Sequence, residues 1–153
     1  MKKFIIIEEK DFEQARKEIR KNLDKVVVFS SNKDELNRKV LEKEPIKILL
    51  LNQSHRKDRI KQRSSGFNQV MARIARKNNV KIGINLDEII FSKDKRKAEI
   101  LARVAQNIRL CNKNKVEMVF VSKENKRDIY DLKSLGLVLG MPTWMTRNLE
   151  ILI

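Results

Sequence analysis

Histidine and cysteine each occur once in this chain, glycine four times and proline twice, and aromatic residues make up only 5% of it. Each scarcity excludes something. With Cys111 alone there is no internal disulfide, which fits a reducing compartment. The four glycines are not spaced as GxGxxG or GxxxxGK, so no glycine-rich phosphate loop is encoded. A hydrolytic metal centre wants several histidine and carboxylate ligands. The lone His55 sits among arginines and lysines that repel a cation, and reads as an exposed loop residue. The few aromatics lie mostly in apolar runs, leaving only Tyr130 and Trp144 to stack on single-stranded bases. No apolar run approaches the roughly 18 residues of a membrane span. The opening MKKFIIIEE is too short in its apolar part to read as a signal peptide. The expectation is a cytoplasmic protein with no membrane partner.

What the chain has in excess is positive charge. Lysine and arginine number 35 against 20 acids, a net charge of +15 over 153 residues. A hydrophobic content of 41% is enough for a packed core, and the length suits one domain, 1–153. The charge is uneven. Residues 55–81 hold nine basic residues and one acid, and residues 93–127 hold 11 basic and four acidic. Solubility needs no single-sign patch, so these segments point to a polyanion. The first segment reads as a loop carrying Arg56, Lys57, Arg59, Lys61 and Arg63, then a helix whose Arg73, Arg76 and Lys77 lie off its apolar stripe. The second reads as a loop and helix with Lys93, Lys95, Arg96, Lys97, Arg103 and Arg109. Lys123, Lys126 and Arg127 come later. Arginine's planar fork suits phosphate oxygens, so backbone contact with a structured nucleic acid fits better than base stacking.

Apolar runs alternate with helical periodicities. Phe4–Ile7, Val26–Phe29, Ile46–Leu51, Val80–Leu86 and Val116–Val121 read as strands. Between them, Phe12, Ala15, Ile19 and Leu23 are spaced as a helix. So are Leu36, Val40 and Leu41, behind a Ser31-x-x-Asp34 capping signature. Phe67, Val70, Met71, Ile74 and Ala75 mark a third helix, Leu101, Val104, Ala105 and Ile108 a fourth, and Leu132, Leu135 and Leu139 a further one ended by Gly140. Pro142 starts a last short turn. About five strand–helix units imply an α/β fold with a mostly parallel, helix-covered sheet. The pattern is shared by a doubly wound sheet and a reduced β/α barrel, which is shorter than a full barrel of about 200 residues.

Chemistry in such folds sits at the carboxyl ends of strands. There the chain offers Glu8, Ser30, Asn52, Gln53, Asn85 and Ser122, mostly amides and hydroxyls. Asp87 and Glu88 read as an exposed loop, and Cys111 as packing on the apolar side of its helix. No catalytic residue and no metal ligand is assigned.

The string SSGFNQVMARIARKNNVKIGINL resembles the archaeal ribonuclease P protein component 3 family, relatives of the thirty-kilodalton eukaryotic subunit. That family carries a basic residue shortly before Ser-Gly-aliphatic-Asn-His-Val. Arg63, Ser65, Gly66, Phe67, Asn68 and Val70 match, and Gln69 stands where the family has histidine. The tail VEMVFVSKENKRDIYDLKSLGLVLGM is similar too, with Arg127 and Asp131 as its basic-x-x-x-Asp element and Leu139, Gly140 and Met141 at its end. The resemblance covers roughly residues 60–150. It implies a reduced TIM-barrel-like (β/α) fold with mostly parallel strands, distantly akin to metal-dependent phosphoesterases. It implies a non-catalytic subunit beside a catalytic RNA that removes the 5′ leader from precursor tRNA. The chain itself would bind no cofactor, with Mg²⁺ serving the RNA. It also implies a small ferredoxin-like protein partner, in a heterotetramer of two copies each. On this reading Arg56, Lys57, Arg59, Lys61, Arg63, Arg73, Arg76, Lys77, Arg96, Arg109, Lys123, Lys126, Arg127 and Arg147 contact RNA or anchor the partner surface, and Asp131 orients Arg127. The alternatives are a metal-dependent phosphoesterase of the related class and a general basic RNA-binding or ribosomal protein.

Overall fold

The computed structural model describes residues 3–152. Six parallel strands lie side by side in sequence order, β1 (Phe4–Glu8), β2 (Val26–Ser30), β3 (Ile48–Leu51), β4 (Lys81–Asn85), β5 (Met118–Val121) and β6 (Ile151–Leu152). Helices connect them: α1 (Phe12–Lys21), α2 (Asp34–Lys43), α3 (Gln69–Lys77), α4 (Leu86–Phe91), α5 (Asp94–Asn114), α6 (Ile129–Leu139) and α7 (Thr143–Arg147). β2, β3 and β5 are apolar in nearly every position because both of their faces are buried. One face, with Ile7, Val27, Phe29, Leu49, Leu51, Ile82, Ile84, Met118 and Phe120, packs under the helices. The alternate residues Val28, Ile48, Leu50, Val119 and Val121 are equally buried, yet they pack only against other strand residues.

That second core exists because the sheet curls. Neighbouring strands are about 4.8 Å apart, so β1 and β5 would be roughly 19 Å apart if the sheet were flat. Instead Lys123, just beyond β5, reaches Glu8 at the end of β1 with Nζ to Oε1 at 2.7 Å. The sheet is an open half-barrel whose concave side is filled by its own side chains. Gly83 faces this interior, where a Cβ would come within 3.1 Å of Leu50 and 3.2 Å of Ile48. Its missing side chain lets those two residues fill the space.

Several local expectations change. The capping box at Ser31 does not form: the residue flanking α2 is Lys33, and the Ser31 hydroxyl accepts the Lys33 N–H in a tight turn. Leu23 lies beyond α1 and is exposed. Phe67 precedes α3 and reaches the core from the loop, while Val70 is exposed and Ala72 is buried in its place. Leu86 opens a helix instead of closing β4. The stretch expected as a polar loop after it forms α4 and the start of α5, so Asp87 and Glu88 lie in a helical first turn and are half-buried. Lys95, Arg96 and Lys97 belong to α5 and not to a loop. β6, too short to show a pattern, adds a sixth strand. Gly140 ends α6 at φ 106°, as a left-handed cap. Cys111 is buried on α5, where burial pushes its thiol pKa well up.

Candidate nucleic-acid interface

At the carboxyl mouth of the half-barrel the polar strand ends bond to one another. Asn85 donates to Asn52 (2.8 Å), and Asn52 donates to the Ser30 hydroxyl (2.9 Å). Asp87 accepts from the Ser122 hydroxyl, the Lys123 N–H and the Asn125 amide at 2.7–2.8 Å. Partial burial works to raise its pKa, but those donors outweigh it and hold the carboxyl below its ordinary range. Glu88 accepts from the backbone N–H groups of Gln53 and Ser54 and from the Ser54 hydroxyl. Both carboxylates are therefore structural clamps. Among the described residues, no group of three or more histidine, cysteine, aspartate or glutamate side chains is placed to hold a metal.

The loop between β3 and α3 rises from this mouth, and Arg103 organises it. Arg103 is 2% exposed, although it sits in a segment expected to be a basic surface. Its guanidinium donates to the carbonyls of Gln53 (3.0 Å) and Arg56 (3.1 Å) and to the Asp58 carboxylate (3.0 Å). Asp58 in turn accepts the Ser64 N–H at 2.9 Å, tying the far side of the loop to the near one. Burial opposes ionisation of Asp58, but the Ser64 N–H and Arg103 prevail and hold its carboxyl below the usual range. Arg59 and Gln62 exchange backbone hydrogen bonds of 2.9 and 3.2 Å, folding the middle of the loop into a small hairpin. The result is an ordered loop on which Lys57, Arg59, Lys61 and Arg63 are exposed, while its one acid is engaged by Arg103 and the Ser64 N–H.

The Ser-Gly element is the loop's second anchor. The Ser65 carbonyl accepts the Gln53 side-chain amide, and Ser65 is buried. Arg56 is not a free cation: its side chain is 4% exposed, and its fork meets Asp34 at 2.8 and 2.9 Å. Gly66 has φ +75°, and a Cβ there would fall 2.2 Å from the Arg56 guanidinium. Glycine is needed both for the left-handed backbone and for the close approach. Asn68 caps α3 by accepting the Met71 N–H. Gln69 forms a reciprocal amide pair with Asn114 of α5, at 2.8 and 2.9 Å. The motif residues Ser65, Gly66, Asn68 and Gln69 thus shape the loop and its junction with α3. Beside it lies a cavity of about 310 Å³ walled by Arg38, Arg59, Arg63 and Gln106 together with the acids Asp34 and Glu35.

The remaining basic residues fall into two groups. Arg96 in the first turn of α5, and Lys123, Lys126 and Arg127 after β5, join the loop at the carboxyl end of the sheet. A second cavity of about 610 Å³ opens there, lined by Arg96 and Lys123 but also by Asp87, Glu88 and Glu124. Arg73, Arg76, Lys77 and Arg109 are exposed along α3 and α5 toward the opposite end, and Arg147 ends α7 just before β6. The expected pairing of Arg127 with Asp131 is not formed: Arg127 precedes the Asp128 cap of α6, outside the helix, and among the described residues no ion pair joins the two. Tyr130 is exposed, whereas Trp144 is half-buried and donates to Asn112. His55 is exposed on the loop, where partial burial and then Arg56 push its pKa down, keeping it neutral at pH 7. Arg103 was legible in one respect. It falls between Ile100 and Asn107 on the apolar stripe of α5, where a surface arginine does not belong.

A family model described as RNase P subunit p30 matches residues 4–148, a wider span than the motifs that first suggested it. Among curated relatives, ribonuclease P protein component 3 of Methanococcus maripaludis (strain C5) is 27% identical over 136 residues, covering 89% of this chain and 55% of the relative. The protein of the same description from Methanosarcina mazei is 38% identical over 72 residues, 47% of this chain and 29% of the relative. The chain thus spans about half the length of the curated relatives it matches along most of its sequence. Among solved structures, a chain of an archaeal ribonuclease P captured with mature tRNA superposes with a TM-score of 0.77 at 20% identity, covering 95% of this chain and 63% of that one.

Proposed function

The chain belongs to the RNase P subunit p30 family, and we propose that it is a protein subunit of a ribonuclease P ribonucleoprotein, the endonuclease that removes the 5′ leader from precursor tRNA. Catalysis resides in the RNA, which uses Mg²⁺; this chain binds and stabilises that RNA. The observation that carries the reading is the braced loop, which presents Lys57, Arg59, Lys61 and Arg63 to solvent while its one acid, Asp58, is paired with the buried Arg103. An ordered array of cations neutralises phosphates without first losing loop entropy. Arg96, Lys126 and Arg127 extend the same rim, and the group at the opposite end, with Arg147, forms a second contact region for RNA or for another protein subunit. That other subunit is the small ferredoxin-like one, in a heterotetramer of two copies each, and precursor tRNA is reached indirectly. The complex works in the cytoplasm. The mouth of the half-barrel supports a binding role over phosphoester hydrolysis, because its amides, hydroxyls and carboxylates already satisfy one another.

Reconstitution tests this. Precursor-tRNA cleavage by the cognate RNA is measured at low Mg²⁺, with and without this chain and the small subunit. Stimulation by the chain, with RNA affinity falling steeply between low and moderate salt, is the expected result. An affinity flat in salt, or recovery of ribosomal RNA alone when the chain is purified from its host, refutes it.

A further inference from the structure

We propose that Ile60 is an apolar wedge that seats against the bases of the RNA partner, at an unpaired or unstacked step, while its neighbours hold the backbone. The proposal rests on the RNA-binding reading above and adds a base contact to what is otherwise a phosphate-binding surface.

Single exposed aliphatic residues are ordinary on protein surfaces, so exposure by itself means little. The placement of Ile60 is what matters. Its relative exposure of 104% makes it as open as a side chain can be, and it occupies the tip of the Arg59–Gln62 hairpin. The hairpin is not a loose excursion. Its two backbone hydrogen bonds close the tip, and Arg103 and Asp58 brace its base through the Gln53 and Arg56 carbonyls and the Ser64 N–H. Lys57, Arg59, Lys61 and Arg63 flank the tip on both sides and are exposed, and the one acid among them, Asp58, is neutralised by Arg103. A rigid projection with an aliphatic point and cationic shoulders matches the two parts of a nucleic acid in order: phosphates outside, base faces within. Proteins that unstack bases use aliphatic side chains in this manner, with basic residues beside them. RNA offers such steps in its loops, bulges and helix ends. Sequence composition concealed the feature, since the segment reads only as polar and basic.

The test uses the full chain and the cognate ribonuclease P RNA, with affinity measured across a salt series for wild type, Ile60→Ala, Ile60→Asn, Ile60→Leu and Ile60→Trp. Removing three carbons, about half of whose surface is covered when the side chain seats against bases, lowers affinity roughly tenfold. Ile60→Ala and Ile60→Asn therefore bind roughly tenfold more weakly, with the slope of affinity against salt unchanged, because no phosphate contact is lost. Ile60→Leu and Ile60→Trp retain wild-type affinity, and the new indole of Ile60→Trp is quenched by RNA beyond the background from Trp144. Thermal midpoints stay the same, since the side chain touches nothing in the folded chain. Equal binding by wild type and Ile60→Ala overturns the wedge and leaves the phosphate-binding reading intact. A loss accompanied by a changed salt slope also overturns it, by reassigning the effect to displaced cations. Failure of the wild type to bind the RNA at all refutes both readings and is separately visible.

Discussion

Replacing Arg103 with methionine keeps the volume on α5 but deletes every donor of the brace. Three hydrogen bonds go, two to carbonyls and one to the Asp58 carboxylate. Hydrogen bonds involving a charged group contribute about 1.5–3 kcal/mol each. Their sum overstates the effect, because the Asp58 side chain is 32% exposed and the freed carbonyls regain water when the loop opens. A net cost of about 2 kcal/mol for holding the loop closed is the value that follows. Such a change raises the population of the open loop about 30-fold. The loop contains trypsin sites at Arg56, Lys57, Arg59, Lys61 and Arg63, so limited trypsin digestion reads that population directly. Cleavage within residues 56–63 is expected to accelerate about 30-fold. The global midpoint should fall by no more than about 8 °C, given 2–4 °C per kcal/mol for a chain of this size. RNA affinity falls with it, although Arg103 is itself too buried to touch phosphate. Unchanged cleavage would show that the hairpin and the Ser-Gly anchor hold the loop without Arg103, which would then be no brace.

Gly66→Ala places a Cβ in a left-handed backbone and 2.2 Å from the Arg56 guanidinium, which also pushes Arg56 off Asp34. We expect a loss of about 2–4 kcal/mol, measured by urea unfolding. Gln69→Ala breaks only the amide pair with Asn114 and should cost about 1 kcal/mol, with the direction and smaller size checked in the same assay. Asp87 links stability to pH. Its folded pKa is depressed, so its contribution is present in full above the unfolded value of about 4 and is lost as the pH falls through the folded value. Wild type should therefore lose stability below about pH 4, and Asp87→Asn should be weaker at pH 7 and show a shallower acid loss.

Much of the architecture was legible because it rests on local rules. Val26–Phe29 and Ile48–Leu51 are too uniformly apolar for a half-solvated sheet, and the helices between them carry clear periodicity. The errors have local causes as well. Ser31-x-x-Asp34 has the letters of a capping box, but the hydroxyl satisfies Lys33 instead and α2 starts later. The lysines and arginine after residue 92 suggested a loop, yet α5 runs through them, stabilised by the stripe of Ile100, Val104 and Ile108 further along. Arg127 and Asp131 stand at helical spacing but only one of them is in the helix.

By itself, the sequence determined the parallel strand–helix succession, the poverty of catalytic side chains and the segregation of positive charge into two segments. These follow from side-chain type and period, which need no knowledge of distant contacts. The tertiary structure alone decided which charges are free. Arg56 lies in the same basic segment as the exposed Arg59 and Arg63, and Arg103 in the same one as the exposed Arg96 and Arg109, yet Arg56 and Arg103 are held against carboxylates and carbonyls supplied by residues 22 to 50 positions away. It also decided that the sheet curls far enough for Glu8 to meet Lys123, and that one isoleucine stands at the point of the braced loop. Those outcomes depend on which distant groups the fold brings together, and the place of Arg103 on the apolar stripe of α5 is the one trace of them in residue spacing.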